Sequence, residues 1–478
     1  MLYRENESYH IDINKNFFKE EYMKKVIALL LTMGMLVSLV ACGSKEKTES
    51  PATNDTTTAS DTTTASDDAS TTDDAAQTDA STETASEPID LTMWCIAVES
   101  DSNRHAYETG IAEFQAAHPE INLTWEATQN QEYKTKIKAA VAANELPDIF
   151  YTWGCAFLGD FVEAGRVYNA DAAYAKYASE LPEVMVGNVK YDGSVYAAPI
   201  TMNIVAMFAN MELLQQAGFD KVPGTYDELI AVCDALVAQG IIPFGCSGKE
   251  TWCVTEYLES IIEKTAGAPA MNDIFTGKAS WGNDDVVKAV GIFQEMINKK
   301  YFDPEGIALS NDEVKANFIA GKYAFYINGT WNCADFAQAG LADKVQVAEF
   351  PVIDSTKSKL GELIGGPTDG LAVAASSPNA AVAADSAFEI ARNICKQGYL
   401  DGNGLPAWTQ DPNGDYSSIN PLTQSVAEIV ANSSQLVPFG DNAMPADTAN
   451  IYLDYVSQIY SSAIDGQAFV DGLVKDIK

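Results

Sequence analysis

Hydrophobic and polar positions alternate between two periods along the chain. Leu91-Thr92-Met93-Trp94-Cys95-Ile96 reads as a strand, and Tyr107, Ile111 and Phe114 then recur at helical spacing, with Pro119 beyond the end of that helix. Ile121, Leu123 and Trp125 alternate with polar residues as a second strand. Tyr133, Ile137 and Ala140 mark a second helix, and Asp148-Ile149-Phe150-Tyr151 a short third strand. This βαβαβ order predicts an α/β fold with a mostly parallel sheet flanked by helices. In such sheets ligands bind in the loops beyond the carboxyl ends of the strands.

The pattern continues downstream. Asp192-Gly193 is a turn before Val195-Tyr196, and Ile204 to Phe208 is a strand. Thr225-Tyr226-Asp227-Glu228 has the spacing of a capping box and opens a helix through Leu229, Val232, Leu236 and Val237, which Gly240 stops. Ile241-Ile242-Pro243-Phe244 reads as an edge strand, because its proline cannot donate to a ladder. Helices follow through Tyr257, Ile261 and Ile262, through Val287, Val290, Phe293 and Ile297, and through Val314, Phe318 and Ile319. Tyr323 to Ile327 is a strand ending at Asn328-Gly329, Gly370 to Ala375 another, and Ala380 to Cys395 a helix.

The N-terminal part has a different texture. Met23-Lys24-Lys25 precedes an apolar run from Val26 to Ala41 and then Cys42, the layout of a secretory signal, and the run is short for a membrane span. Leu39-Val40-Ala41-Cys42 resembles a bacterial lipobox, which implies a signal peptide over 23–42, lipidation of Cys42 and a lipid-anchored position on the extracellular face of the cell membrane. Residues 1–22, upstream of that start, read as an over-extended start. Residues 43–88 hold 13 Thr, 8 Ala, 7 Ser and 11 acidic residues, with no aromatic or large aliphatic side chain. Such a segment cannot bury enough surface to offset chain entropy. It is expected to be a disordered leash spanning roughly 35–40 Å.

Charge and composition narrow the function classes. Asp+Glu total 67 against 30 Lys+Arg, a formal net charge of −37, which argues against nucleic acid as a partner. Only His10, His105 and His118 occur, so a Ser-His-Asp triad or a multi-histidine metal site is hard to build, and neither a metal nor a cofactor is expected. Beyond Cys42 the cysteines are Cys95, Cys155, Cys233, Cys246, Cys253, Cys333 and Cys395, with no CxxC. They read as mostly buried free thiols, with one disulfide among Cys233, Cys246 and Cys253 as the alternative.

Six segments, in order, resemble the extracellular solute-binding proteins of ABC importers, family 1, the group that includes maltodextrin-binding proteins. They are Phe114-Gln115-Ala116-Ala117-His118-Pro119-Glu120-Ile121, Leu146-Pro147-Asp148-Ile149-Phe150, Asp192 to Pro199, Gly218 to Leu229, Phe318 to Phe325, and Gly329-Thr330-Trp331. The resemblance implies a two-lobed, periplasmic-binding-protein-like fold of type II-like arrangement, with ligand in the cleft between lobes. Lobe one would hold about 89–200 and 367–412, lobe two about 203–363 and 415–478. It further implies a monomer that performs no chemistry, has no catalytic residues, and hands a carbohydrate, an oligosaccharide by this reading, to the permease subunits of an ABC transporter. The competing class is a secreted carbohydrate-active hydrolase, which needs two carboxyls facing one bond; no local signature marks such a pair.

A sugar offers hydroxyls at its rim and C–H patches on its ring faces, so its site needs flat aromatic surfaces and planar polar groups. By the resemblance, Trp331 matches the family's stacking tryptophan, Trp153 a position near the sugar, and Trp252 and Glu250 a ligand-bearing segment of lobe two. Trp94, at the end of the first strand, fits core or cleft, and Trp408 a lid or a packing role. Trp125 reads as core and Trp281 as a packing staple before the cap Asn283. Glu99 is a cleft candidate with a solvated acid as its competitor, and Glu250 competes with a plain helix-start acid. Asn203 stands where maltodextrin-binding relatives carry a glutamate, which argues against maltodextrin itself. Asp369 sits beside Gly365-Gly366-Pro367, where glycines permit either close approach to ligand or a bend.

Overall fold

The computed structural model describes residues 88–477. The signal segment, Cys42 and the leash up to residue 87 lie outside the described residues. The described residues form fourteen strands: β1 (Ile89–Cys95), β2 (Ile121–Ala127), β3 (Ile149–Trp153), β4 (Lys190–Tyr191), β5 (Ser194–Val195), β6 (Ala197–Pro199), β7 (Thr201–Asn210), β8 (Ile242–Gly245), β9 (Tyr323–Gly329), β10 (Val345–Ala348), β11 (Glu362–Gly366), β12 (Asp369–Val373), β13 (Leu405–Pro406) and β14 (Gln435–Val437). Two large sheets result, each the centre of a lobe. The first has the order β2-β1-β3-β12-β6, the second β14-β11-β7-β9-β8 with β10 and β13 also on β7.

The first lobe follows the alternation in its sequence. β1 buries Leu91, Met93 and Cys95 and exposes Thr92, while β3, inside the sheet, is buried at all five positions. β1 pairs in parallel with both β2 and β3. β12 runs antiparallel to both β3 and β6 because it arrives from β11 in the other lobe rather than through a crossover helix. The helices Arg104–Ala117 and Ala380–Asp401 pack together over this sheet, with Ile111, Phe114, Phe388 and Ile394 in one core.

The second sheet departs from the mostly parallel expectation. β7 runs antiparallel to β9, β10, β11 and β13, and only β8–β9 and β11–β14 are parallel. β7 enters straight from the first lobe and is buried along all ten residues, so its neighbours come back against it. Pro243 lies on β8, an edge strand, as its missing N–H requires. The capping box of Thr225 and Glu228 forms in full. On the helix Asp284–Asn298 the buried stripe runs through Val286, Val290, Phe293 and Met296, while Val287 is exposed, one position off the predicted stripe. Counting back seven from Phe293 reaches Val286, which the adjacent valine obscured.

The chain passes between sheets at Ile200, between β6 and β7, and again at Pro367-Thr368, between β11 and β12. Gly365 adopts φ +131 at the second passage, and a Cβ there would stand 2.2 Å from the Asn203 backbone oxygen. The close approach that requires glycine is therefore strand to strand. All seven cysteines from Cys95 to Cys395 are free, so the pairing alternative among Cys233, Cys246 and Cys253 is not realised. No helix among the described residues is long and apolar enough to cross a membrane.

Candidate functional site

The loops at one end of each sheet face one another across a cavity of about 1110 Å³, including the part open to solvent. The first lobe supplies the loop after β1, the start of the helix Asn130–Ala143 after β2, and the end of β3. The second supplies the starts of the helices Trp252–Ala266 and Asn311–Ile319, the turn after β9, and the segment Phe439–Asn442. These are the carboxyl-end loops that the strand order singles out.

Aromatic side chains line both sides. Trp331, half-buried, sits in a 3-10 turn after β9, its ring 6.0 Å from Trp252 and 6.1 Å from Phe439. Gly329 makes this position reachable: its φ is an ordinary −67, but a Cβ would lie 2.1 Å from the Trp331 ring. Trp252 opens the helix Trp252–Ala266. Across the cavity, Trp153 ends β3, edge-on to Tyr151 at 4.9 Å and to Phe157 at 5.1 Å, with Lys134 Nζ 4.9 Å from its ring centre. Tyr133 donates its hydroxyl to the Tyr151 carbonyl at 2.6 Å and holds that strand end in place.

Polar groups fill the floor. Asn203 donates from Nδ2 to Thr201 Oγ1 at 3.1 Å and accepts at Oδ1 from Thr330 Oγ1 at 3.0 Å, so the hinge region fixes its amide. Asp369 accepts from Thr201 Oγ1 at 3.4 Å; enclosure between the lobes raises its carboxyl to about 6, partly offset by Tyr151 and Thr201. Asp101, in the loop after β1, is raised for the same first reason, loss of water. Glu250 accepts the backbone N–H of Asn311 at 2.7 Å. It thus caps the start of a neighbouring helix, a variant of the helix-start role set against ligand contact. Lys315 is held by Asp335 at 2.6 Å; burial lowers its affinity for the proton, and Asp335 more than reverses that. Lys134 reaches across the cavity to Asp441 at 2.8 Å.

The structure therefore brings together six of the nine sequence candidates for ligand contact: Trp331, Trp153, Trp252, Glu250, Asn203 and Asp369. The other three are placed elsewhere. Trp408 is 2 % exposed and donates Nε1–H to the Pro199 carbonyl at 2.7 Å, which makes it part of the first lobe's core. Trp94 packs beside that core under Lys136 Nζ at 3.9 Å and is not among the residues that line the cavity. Glu99 is solvated and paired with Arg104 at 3.1 Å. Trp125 is half-buried under the Arg104 guanidinium, and Trp281 is buried against Tyr452.

Sequence reasoning missed Lys134, Tyr151, Lys315, Asn332, Phe439, Asp441 and Glu256, all of which line the cavity. Lys134 and Glu256 lie one turn into helices that follow strands, a signal available in the pattern, while the helix of Lys315 follows another helix and carries no such mark. Phe439 and Asp441 lie in a segment with no periodicity to mark it.

Comparison with known proteins agrees with this geometry. A family model described as bacterial extracellular solute-binding protein matches residues 101–389. A solved structure from work on xylan utilization by the thermophilic bacterium Caldanaerobius polysaccharolyticus is 32% identical, superposes with a TM-score of 0.78, and covers 82% of this chain and 100% of its own. The multiple sugar-binding protein of Streptococcus mutans is 23% identical over 326 residues, 66% of this chain and 74% of that protein. The melibiose/raffinose/stachyose-binding protein MelE of Bacillus subtilis is 24% identical over 320 residues, 65% of this chain and 72% of that one.

Proposed function

We propose, for a chain that belongs to the bacterial extracellular solute-binding proteins, the role of a receptor that takes an oligosaccharide between its lobes and hands it to an ABC importer. The observation that carries this reading is the facing pair of aromatic walls, Trp252, Trp331 and Phe439 against Trp153 and Tyr151, over a floor of planar polar groups. Flat rings match the C–H faces of sugar rings, and carboxyl and amide groups match their hydroxyls. A cavity of this size suits more than one sugar ring. The relative from xylan utilization makes xylose oligomers the first ligands to try. The receptor acts as a monomer and performs no chemistry on its ligand. Cys42 carries its lipid anchor on the outer face of the cell membrane, and the acidic leash gives the folded body reach and keeps it off the anionic surface.

Calorimetric titration with xylotriose, chitotriose, maltotriose and stachyose, with chromatography of the sugar afterwards, tests this. Binding with the sugar recovered intact is expected. Turnover would favour the hydrolase class, and failure to bind any sugar would remove the carbohydrate reading.

A further inference from the structure

The cavity has one feature that neither its aromatic walls nor its hinge accounts for. Glu256, one turn into the helix Trp252–Ala266, lines it while only 1 % exposed, and among the described residues neither Oε1 nor Oε2 has a hydrogen-bond partner. Three further lining residues, Asn130, Asn332 and Asn442, leave their side-chain oxygens equally unpartnered. The orientation of Asn332 is fixed, because its Nδ2 donates to Asn328 Oδ1 and to the Gly329 carbonyl, both at 2.9 Å. What remains unfilled on this surface is a set of acceptors. A buried acceptor left without a donor costs on the order of 1–3 kcal/mol, so a bound molecule that supplies hydrogens recovers that loss.

The charges point the same way. Besides Glu256, five carboxyls line the cavity, those of Asp101, Glu250, Asp312, Asp369 and Asp441, against two cations, Lys134 and Lys315. Both cations are taken: Lys134 by Asp441 at 2.8 Å and Lys315 by Asp335 at 2.6 Å. The helix starts facing the cavity are no substitute for a free cation. Two of the three are met, since Gln129 accepts the Gln131 N–H and Glu250 accepts the Asn311 N–H, and the third, that of Trp252–Ala266, has no side-chain cap but opens between Glu250 and Glu256. A sugar carboxylate here would lose its water beside other acids with no cation to meet it.

We infer that the cleft selects uncharged sugars with free hydroxyls, excludes sugars bearing uronic acids, and uses Glu256 as a specificity-determining residue that takes a ligand hydroxyl. This rests on the carbohydrate reading above and names the chemical class within it. Burial, then Glu259 and Asp441, push the Glu256 carboxyl well above its usual range. It therefore meets a hydroxyl as a neutral acid, able both to accept and to donate. Exclusion works by the unpaired charge an acidic sugar would bring, a repulsive element beside the attractive one.

The test is titration of the purified protein with the four neutral sugars above and with two acidic ones, trigalacturonate and glucuronic-acid-substituted xylotriose. At least one neutral sugar is expected to bind, and both acidic ones at least tenfold more weakly than the best neutral ligand. An acidic sugar that binds within tenfold of that ligand, or more tightly, overturns the exclusion and leaves the carbohydrate reading standing. No binding by any sugar overturns the carbohydrate reading itself. Glu256→Met keeps the bulk but neither the acceptor nor the donor and leaves no unpartnered polar atom, so its melting temperature without ligand should not fall, while affinity for the best neutral sugar should drop roughly 10- to 100-fold. Affinity within twofold of the original protein would overturn the role of Glu256. The panel on the unaltered protein decides the exclusion whatever the variant does.

Discussion

Lys134 of the first lobe and Asp441 of the second meet across the cleft, Nζ to Oδ2 at 2.8 Å, with side chains only 18 % and 10 % exposed. Lys134 belongs to the helix that packs Tyr133 and Ile137 into the first core, and Asp441 lies between Phe439 and Met444 of the second. The pair therefore exists only when the lobes are together. It is joined by Ser102 Oγ donating to the Trp331 carbonyl at 3.3 Å and by the Ala446 N–H donating to Asp160 at 3.1 Å. Periplasmic binding proteins close around their ligands by hinge motion; here these three contacts fasten the closed form.

Lys134→Met should thus weaken ligand binding without loosening either core. A largely desolvated, charge-assisted contact contributes about 1.5–3 kcal/mol, or roughly 10- to 100-fold in affinity. Small-angle scattering should show less compaction on adding ligand than in the original protein. Asp441→Asn should give a similar loss, and the double variant little more than either alone. Additive losses would mean that the two side chains act separately, and an unchanged affinity would remove the pair from closure.

Gly329→Ala tests the stacking wall from behind. The backbone there suits any residue, so the added methyl acts only by pushing on the Trp331 ring 2.1 Å away. Overpacking of this kind costs about 1–3 kcal/mol of stability. The displaced ring should also lower sugar affinity. Trp331→Ala should lose about 2–4 kcal/mol of binding, as a central aromatic anchor does, and Trp331→Phe less. Melting without ligand and titration with ligand belong on the same variants. Lost stability with unchanged affinity would make Trp331 a packing residue only.

The strands of the first lobe were legible because β1 and β2 alternate and β3 is a short apolar run. The direction of the second sheet was not, since β7 reads like any buried strand and only its arrival from β6 sets its partners antiparallel. Trp331 and Trp252 could be placed from their neighbours in sequence. Trp408 could not: a loop tryptophan looks the same whether its N–H meets solvent or, as here, the Pro199 carbonyl. Asp441 and Glu256 matter through what faces them from 307 residues away or from no residue at all, and no local pattern encodes either fact.

Cys42→Ser tests the anchor. Two acyl chains give stable membrane attachment at about 0.8 kcal/mol per buried CH₂, and a serine cannot carry a thioether-linked lipid. The variant should appear in the medium or as an uncleaved precursor when membrane and soluble fractions are compared. Processing and membrane extraction like the original protein would rule out lipidation at Cys42.

The buried acids of the helix Trp252–Ala266 set a pH dependence that runs opposite to ordinary acid denaturation. Burial first, then the charge of Asp441, raises Glu259 to about 8, and burial raises Glu263 to about 7 despite its pairing with Lys264. Glu256 is displaced in the same direction. In the unfolded chain these carboxyls return to 4.5, so between roughly pH 5 and 8 the folded protein binds more protons than the unfolded one. Their stabilising contribution is complete below the unfolded value and is lost as pH rises through about 7 and 8. For Glu259 alone the loss is at most about 5 kcal/mol at 1.36 kcal/mol per unit. His118 adds the same sign: burial lowers it, and its bonds to Glu389 and Glu120 more than reverse that. The melting temperature should therefore be several degrees higher at pH 5.5 than at pH 8.5. Glu259→Gln keeps an acceptor for the Gly440 N–H and turns its amide N–H toward the Tyr452 hydroxyl oxygen, while removing the charge. It should raise the melting temperature at pH 8.5, change it little at pH 5.5, and flatten the slope between them. A melting temperature that climbs with pH over that range would show that these carboxyls are ionised in the folded protein.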